Sequence, residues 1–355
     1  MEKETVNKKI TASLMCGALG DALGYAVEFM DFDTILERYG SRGITELYLE
    51  DGLARFSDDT QMTLFTAEGY ILGYRRATER GIDASVDLYI HEAYLCWLKT
   101  QGYPAESLWM NSSRLVAIPE LNHCRAPGNT CLSALVSGDI GAIEAPLNNS
   151  KGCGGVMRTA PLGFVRRSDG SNPFGSPLVN GAKAAAITHG HPMGYIPAGM
   201  LSDIVDRCIY ENYDSLEELV TASFEATEAL FAGYEGMERF EEMIRLALTL
   251  AAVPVEEDEG VETDEAAISE IGEGWVGDEA LAIAIYAAIR HRDDVKAALR
   301  AASNHSGDSD STAAIAGNIL GAWLGEYPAD WAEKLELADT IRELADDMTD
   351  IAFEN

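Results

Sequence analysis

Residues 313–324 limit the possible folds of this chain more than any other segment. They are apolar on nearly every side of a helix, and such a helix is stable only when protein surrounds it. We therefore predict a helix buried at the centre of a bundle. An acidic cluster, Asp308 to Thr312, immediately precedes this run.

The rest of the chain has the same helical periodicity, with apolar residues repeating at i, i+3, i+4 and i+7. The clearest runs are 10–22, 62–73, 88–98, 182–188, 196–209, 216–232, 240–252, 280–289 and 331–351. Residues 44–49 could form a short strand, but alternating strands and helices are absent. We predict a compact all-α fold in one domain, 1–355, with a core at about 10–326 and a C-terminal helical tail at 327–355.

Three segments between or within these runs carry further expectations. Gly17, Gly20 and Gly24 lie on one face of the first helix, where small residues would let another helix approach closely. Residues 168–177 are rich in Gly, Ser and Pro, and residues 256–265 are acidic. Both are predicted to be loops within the single domain.

Composition excludes several function classes. The chain has 355 residues, of which 47% are hydrophobic, so it can form a large core. Its net charge of -33 argues against direct binding to nucleic acid, which needs a basic face. A phosphate-bearing substrate would instead be recognised through metal ions and backbone N–H groups.

Cysteine usage and hydropathy indicate the compartment. The six cysteines include no Cys-x-x-Cys pair, and a chain of this length does not need disulfides, so reduced thiols are expected. No apolar run is long enough to cross a bilayer, and no signal peptide is recognisable at the N-terminus. We predict a cytoplasmic protein without a membrane partner.

Two acidic clusters, Ser57 to Thr60 and Asp308 to Thr312, are the strongest indication of chemistry. A helix N-cap alone would explain one oxygen in each, but each cluster offers several. Carboxylates and hydroxyls are the donors that Mg²⁺ and Mn²⁺ prefer, so we predict that folding joins the clusters into a site for divalent cations. The candidate ligands are Ser57, Asp58, Asp59, Asp308, Asp310 and Ser311.

Other polar residues allow two interpretations each. Glu28 is either an exposed carboxylate at a helix end or a ligand or acid/base group. The glycine-rich residues 148–158 could present backbone N–H groups to phosphates, but they lack the Walker ending and could equally form an ordinary turn. His189 is more typical of a polar contact than of a metal ligand.

Two enzyme classes fit these residues. One is a hydrolase in which paired metals hold a ribose or phosphate. The other is an all-α isoprenoid-type synthase that binds a diphosphate through Mg²⁺. The second fits poorly, because residues 58–62 lack the third acid of an Asp-Asp-x-x-Asp set and a prenyl cavity would not explain the glycine segment.

Five motifs, in order, carry a resemblance to a known family: residues 17–28, 56–62, 150–158, 188–195 and 307–317. Together they resemble the ADP-ribosylglycohydrolase family, and the glycine and second acidic motifs look most like those of bacterial members. The resemblance implies an all-α fold and two divalent cations, Mg²⁺ or Mn²⁺. It also implies removal of ADP-ribose from a modified protein, often at arginine, or from a small molecule that contains ADP-ribose.

The resemblance also implies roles for particular residues. The metal ligands would be the six named above, although Ser57 and Ser311 stand where many relatives have threonine. Glu28, Asp59 and Asp310 are the catalytic candidates. The substrate-binding candidates are Asn149, Ser150, Lys151, Gly152, Cys153, Gly154, Gly155, His189 and Trp275. Some proteins with this fold have lost activity, so an inactive ADP-ribose-binding protein is the alternative; the oligomeric state is not predicted.

Overall fold

The computed structural model describes residues 2–81, 85–166, 170, 172–255 and 260–354. These residues form fifteen α-helices. They are α1 (Lys3–Gly24), α2 (Phe32–Tyr39), α3 (Asp58–Arg80), α4 (Val86–Thr100), α5 (Asn129–Val136), α6 (Pro177–Ala186), α7 (Pro192–Tyr210), α8 (Leu216–Phe231), α9 (Met237–Ala251), α10 (Val261–Ile271), α11 (Gly277–Arg290), α12 (Val295–Ser303), α13 (Ser309–Leu324), α14 (Ala329–Ala332) and α15 (Ala338–Phe353). Short 3₁₀ helices occur at Leu115–Ala117, Pro119–Leu121, Cys153–Gly155 and Ala160–Gly163.

The all-α prediction is confirmed, because the described ranges contain only isolated bridges and no strand. The short strand considered for residues 44–49 is therefore wrong. The side chain of Asn304 takes the place of a strand partner there: its Oδ1 accepts a hydrogen bond from Ile44 N, and its Nδ2 donates one to Ile44 O. A single buried amide thus satisfies the backbone of Ile44.

The two predicted loops are partly helical. Residues 168, 169, 171 and 256–259 lie outside the described residues. Residues 172–176 are not helical, as expected, but Pro177 begins α6. Residues 261–265 belong to α10, so the loop prediction is wrong there. Glu262 and Asp264 lie in the first turn of α10, where negative charge complements the helix dipole.

Helices α1 and α13 pack against each other through glycine, as the small-residue face of α1 predicted. A Cβ atom added to Gly20 would lie 2.1 Å from the carbonyl oxygen of Ala313, and one added to Gly24 would lie 2.2 Å from that of Ser309. The backbones therefore touch along this face. Helix α13 is buried from Ser309 to Ala322, which confirms the predicted central helix.

We expect Gly20→Ala to destabilise the protein, although alanine is the better helix former by about 1 kcal/mol. The new methyl group would meet a backbone carbonyl, so the two helices would have to separate. A net loss of about 2 kcal/mol in the free energy of unfolding is expected, measured by denaturant titration. Thr11→Ala, at a half-buried position of the same helix, is the control. A Gly20→Ala variant as stable as the wild type would contradict this packing.

Candidate functional site

The first acidic cluster lies at the N-terminus of α3. Ser57 is the N-cap, and its side chain accepts a hydrogen bond from Asp59 N at 3.2 Å. The capping interpretation is therefore correct for Ser57. It leaves the carboxylates of Asp58 and Asp59 available, and both are buried.

Asp21 of α1 fixes this cluster, a role that sequence reasoning missed. Its carboxylate accepts hydrogen bonds from Ser57 N and Thr60 N, both at 2.8 Å, and from the Thr60 hydroxyl. Burial, and then the charge of Asp310, raise the pKa of Asp21 to about 7. The available signal was a carboxylate in the apolar second half of α1, and Asp21 is indeed fully buried there.

The second acidic cluster begins α13. Asp308 is the N-cap residue but makes no side-chain capping bond, so its carboxylate is free for other contacts. Its Oδ2 accepts a hydrogen bond from Cys153 Sγ at 2.6 Å. Asp310 Oδ1 accepts one from Ser311 N at 2.9 Å. Because α13 packs on α1, this cluster is brought beside the one that Asp21 holds.

Both clusters line one cavity of about 460 Å³. Its lining includes the predicted residues Glu28, Asp58, Asp59, Gly152, Cys153, Gly154, His189, Trp275, Asp308, Asp310 and Ser311. The lining does not include Ser57, which is buried, or Asn149, Ser150, Lys151 and Gly155. We call this cavity the acidic cleft.

The acidic cleft concentrates negative charge, and among the described residues no Lys or Arg lines it to balance that charge. Burial, and then the neighbouring charge of Asp310, raise the pKa of Asp58, of Asp59 and of Asp308 well above the usual range. The same two causes raise the pKa of Glu28 to about 10. So many buried carboxylates are stable only when protons or cations offset their charge.

The donor set fits divalent cations. Asp59 Oδ2 and Glu28 Oε2 are buried and have no hydrogen-bond partner. Free carboxylate oxygens beside the Ser311 hydroxyl are the hard ligands that Mg²⁺ and Mn²⁺ take. Within the described ranges, no three His, Cys, Asp or Glu side chains already surround a common point. The oxygens thus line the cleft but do not form a complete coordination sphere around one point.

The glycine segment forms another part of the acidic cleft. Cys153 N donates a hydrogen bond to Trp275 O at 3.2 Å, and Gly277 N donates one to Lys151 O at 2.8 Å. A Cβ atom on Gly154 would lie 3.2 Å from Cys131 Sγ and 3.4 Å from His189 Nε2, so the segment packs closely against both side chains. This pairing holds the segment and Trp275 on one side of the cleft.

His189 is a neutral polar group in the acidic cleft. Its Nδ1 lies 2.8 Å from the Thr188 hydroxyl, and the ring is buried. Burial, and then the nearby charge of Arg158, lower the pKa of His189 to about 3. A neutral imidazole can exchange hydrogen bonds with a polar ligand without adding charge.

Comparison with known proteins decides the family. A family model described as ADP-ribosylglycohydrolase matches residues 2–354. The chain belongs to the ADP-ribosylglycohydrolase family. The resemblance in its five motifs is thereby confirmed, and the chain is a hydrolase of the ADP-ribosylglycohydrolase type.

The fold is shared with a solved structure. A chain described as "ADP-ribosylglycohydrolase-related protein complex" is 21% identical, with a TM-score of 0.63. The similarity covers 99% of this chain and 100% of that one. At this identity, it shows the common fold. In the described part of this family member, no helix has the length and apolarity needed to span a membrane.

Two aromatic rings lie at the mouth of the cleft in this ADP-ribosylglycohydrolase. Phe29 and Trp275 stack with ring centroids 6.3 Å apart and an interplanar angle of 15°. Phe29 is 75% exposed and Trp275 is 40% exposed. Sequence reasoning found Trp275 but missed Phe29, although it directly follows Glu28. Both rings can offer a flat apolar surface to a ligand.

The turn at residues 126–128 and the first residues of α5, 129–131, also line the cleft and were missed. Gly128 N donates a hydrogen bond to Asp58 Oδ2 at 3.2 Å, so the turn contacts the first acidic cluster directly. Ala126 has a φ of 52°, which is uncommon for a residue with a side chain. The Pro127-Gly128 pair marked a turn in the sequence but gave no sign of its place in the site.

Proposed function

We propose that this ADP-ribosylglycohydrolase hydrolyses the N-glycosidic bond between ADP-ribose and an arginine side chain of a modified protein, using two divalent cations, Mg²⁺ or Mn²⁺. The supporting observation is the acidic cleft itself, which gathers Glu28, Asp58, Asp59, Asp308 and Asp310, with no Lys or Arg in the part of its lining that the structure describes. A diphosphate could enter such a site only with cations and backbone N–H groups to receive it.

In this proposal, Asp58 and Asp59 hold the cations from one side, and Asp308, Asp310 and Ser311 hold them from the other. Ser57 is fully buried and lies outside the cleft lining, so we propose that its hydroxyl would reach a cation from the protein side of the site. Bound cations supply positive charge that offsets the carboxylates and Lewis acidity toward the ribose hydroxyls. Cation binding would draw the donor oxygens together.

The carboxylates of the chain manage charge and protons during cleavage. Positive charge develops on the ribose ring as the bond from C1 to the guanidine nitrogen breaks, and the surrounding carboxylates stabilise it. Water attacks C1 as the electrons of the breaking bond pass to the guanidine nitrogen; a carboxylate takes the proton of the water and returns it to that nitrogen, so arginine is released as its guanidinium. Glu28, Asp59 and Asp310 are the candidates to accept the proton.

The glycine segment and His189 are proposed to receive the diphosphate and the distal ribose. Gly152 and Gly154 expose backbone in the cleft, and His189 contributes a neutral ring. Asn149, Ser150, Lys151 and Gly155 support the segment from outside the cleft lining. Thr130 and Cys131, from the first turn of α5, are additional lining groups.

Trp275 is proposed to stack on the adenine. We expect Trp275→Ala to raise KM about tenfold while kcat stays near the wild-type value. Stacking on a base contributes about 1–3 kcal/mol to binding, and it stabilises the bound substrate and the transition state equally. Steady-state kinetics measure both constants. Tyr103→Ala, at another half-exposed aromatic outside the cleft lining, should match the wild type. A fall in kcat with unchanged KM would contradict the stacking role.

The acceptor linkage is tested by release of ADP-ribose from matched substrates. Proteins carrying ADP-ribose on arginine or on serine are incubated with the enzyme and Mg²⁺ or Mn²⁺, and free ADP-ribose is quantified. Faster release from arginine supports the proposal, and release only from serine would overturn the acceptor assignment. Tight ADP-ribose binding without any release would favour the alternative of an inactive binding protein.

The compartment is also a proposal. All six cysteines are free thiols in the structure, as predicted, and Cys124 is exposed. Free thiols, one of them at the surface, are typical of a reducing compartment. We propose that the enzyme acts in the cytoplasm.

A further inference from the structure

A second cavity adjoins the acidic cleft. It has a volume of about 750 Å³, compared with about 460 Å³ for the cleft, and the two share Phe29 and Ala126 in their linings. We call it the outer cavity. A ligand that passes Phe29 can therefore occupy both cavities at once.

The outer cavity is built from four parts of the chain. Ala22, Tyr25, Ala26 and Phe29 come from the end of α1 and the turn that follows it. Arg38 comes from α2, and the segments around residues 48–55 and 123–126 complete the lining. The turn after α1 thus contributes to both cavities, with Glu28 in the cleft and its neighbour Phe29 in both linings.

Two of the arginines in the outer cavity are already paired. Arg125 forms a two-point ion pair with Glu336, and one of its nitrogens also donates to Phe56 O at 2.9 Å. Arg55 lies 3.3 Å from the same glutamate and 3.4 Å from Glu50. These two side chains stabilise the wall of the cavity. The paired glutamates offset their positive charge, so neither would attract an acidic ligand strongly.

Arg38 differs from the other two. Its guanidinium lies over the Tyr39 ring at 5.4 Å from the centroid, and in the described part of the chain it has no ion pair. The chain has 59 acidic and 26 basic residues, so most of its surface is expected to be negative. An arginine without an ion pair makes this part of the cavity locally positive. Tyr48 lies in the same cavity and is 47% exposed.

The position of the outer cavity indicates which part of a substrate would enter it. Phe29 follows Glu28, and Ala126 follows Arg125, whose carbonyl oxygen accepts a hydrogen bond from Asp58 N at 3.0 Å. The cavity thus opens from the carboxylate side of the cleft. The glycine segment and His189, which the proposed function gives to the diphosphate side, do not line it.

We propose that the outer cavity binds the acceptor polypeptide of the ADP-ribosylated substrate, with Arg38 pairing with an acidic side chain near the modified residue. The inference rests on the proposed function, since it takes the cleft to hold the ADP-ribose. Arginine and tyrosine are the residues that contribute most often to binding at protein interfaces, and Arg38, Tyr48 and Phe29 supply them beside the reacting bond. A small acceptor would leave this cavity empty.

The test compares a polypeptide with a small acceptor. The substrates are a short peptide with one ADP-ribosyl-arginine flanked by glutamate, the same peptide with lysine in place of glutamate, and free ADP-ribosyl-arginine. We expect Arg38→Glu to lower kcat/KM for the glutamate peptide about tenfold relative to free ADP-ribosyl-arginine, through KM. The wild type should have a lower kcat/KM for the lysine peptide than for the glutamate peptide, and this difference should disappear in Arg38→Glu. Arg42→Glu, an exposed position outside the cavity lining, is the matched control.

The outcomes separate this inference from the proposed function. Equal losses on all three substrates, or no difference between Arg38→Glu and Arg42→Glu, would overturn the acceptor site. If the wild type cleaves none of the substrates, the proposed function is wrong. Fluorescence anisotropy of the unmodified, labelled glutamate peptide then still decides the inference: binding that Arg38→Glu weakens supports the site, and binding that both variants share, or no binding, overturns it.

Discussion

Asp310→Asn is expected to abolish turnover while making the cation-free protein more stable. Asparagine keeps the volume of Asp310 and can still accept the hydrogen bond from Ser311 N. After burial itself, the charge of Asp310 is the largest cause of the raised pKa of Asp58, of Asp59 and of Asp308, and asparagine removes it. The loss of a cation ligand should lower kcat/KM by about 100-fold or more.

Opposite effects on activity and stability distinguish a cation site from a structural role. A residue that only supports the fold would lose activity and stability together, whereas removing repulsion among buried carboxylates should raise Tm in EDTA. Added Mn²⁺ should raise Tm of the wild type more than that of the variant. Asp339→Asn, in an exposed pair with Arg342, is the control. Wild-type activity in Asp310→Asn would exclude the two-cluster site.

Glu336→Gln is expected to cause the largest loss of stability away from the cleft. The Glu336 side chain is 1% exposed, pairs with Arg125 and Arg55, and accepts a hydrogen bond from Phe56 N at 3.1 Å. Glutamine would leave Arg125 buried at 7% exposure without a counter-charge. Breaking a buried pair in this way costs about 3–5 kcal/mol.

Denaturant titration of Glu336→Gln measures the loss, and an exposed pair provides the comparison. Arg342→Gln removes an ion pair with Asp339, whose side chain is 95% exposed, and should change the free energy of unfolding by less than about 1 kcal/mol. Because Phe56 directly precedes the first acidic cluster, Glu336→Gln should also reduce activity. Equal stability of the two variants would show that the buried pair contributes no more than a surface pair.

The features that the sequence predicted correctly are those set by local composition. The run at 313–324 had no polar face, so its burial followed from hydrophobicity alone. The glycines of α1 predicted a close helix contact for the same local reason. The acidic clusters were visible because they contained more oxygens than a cap needs. Folding then placed the carboxylates of both clusters, together with Ser311, in one cavity lining.

The features that the sequence did not predict depend on contacts between distant segments. Asp21 was one acid in a helix until α3 was placed against it. Residues 44–49 had strand-forming composition, but Asn304, 260 positions away, satisfies the backbone of Ile44. Phe29 gained a possible role only when Trp275 was stacked beside it. Periodicity and spacing carry no information about such partners.

Release of ADP-ribose from an ADP-ribosyl-arginine protein, before and after metal removal, tests the central claim most directly. We expect no release from enzyme treated with EDTA, and recovery of release when Mg²⁺ or Mn²⁺ is restored in excess. Recovery should be absent in Asp310→Asn. Full release in EDTA would contradict the account, because cleavage would then proceed without the cations that the acidic cleft is proposed to hold.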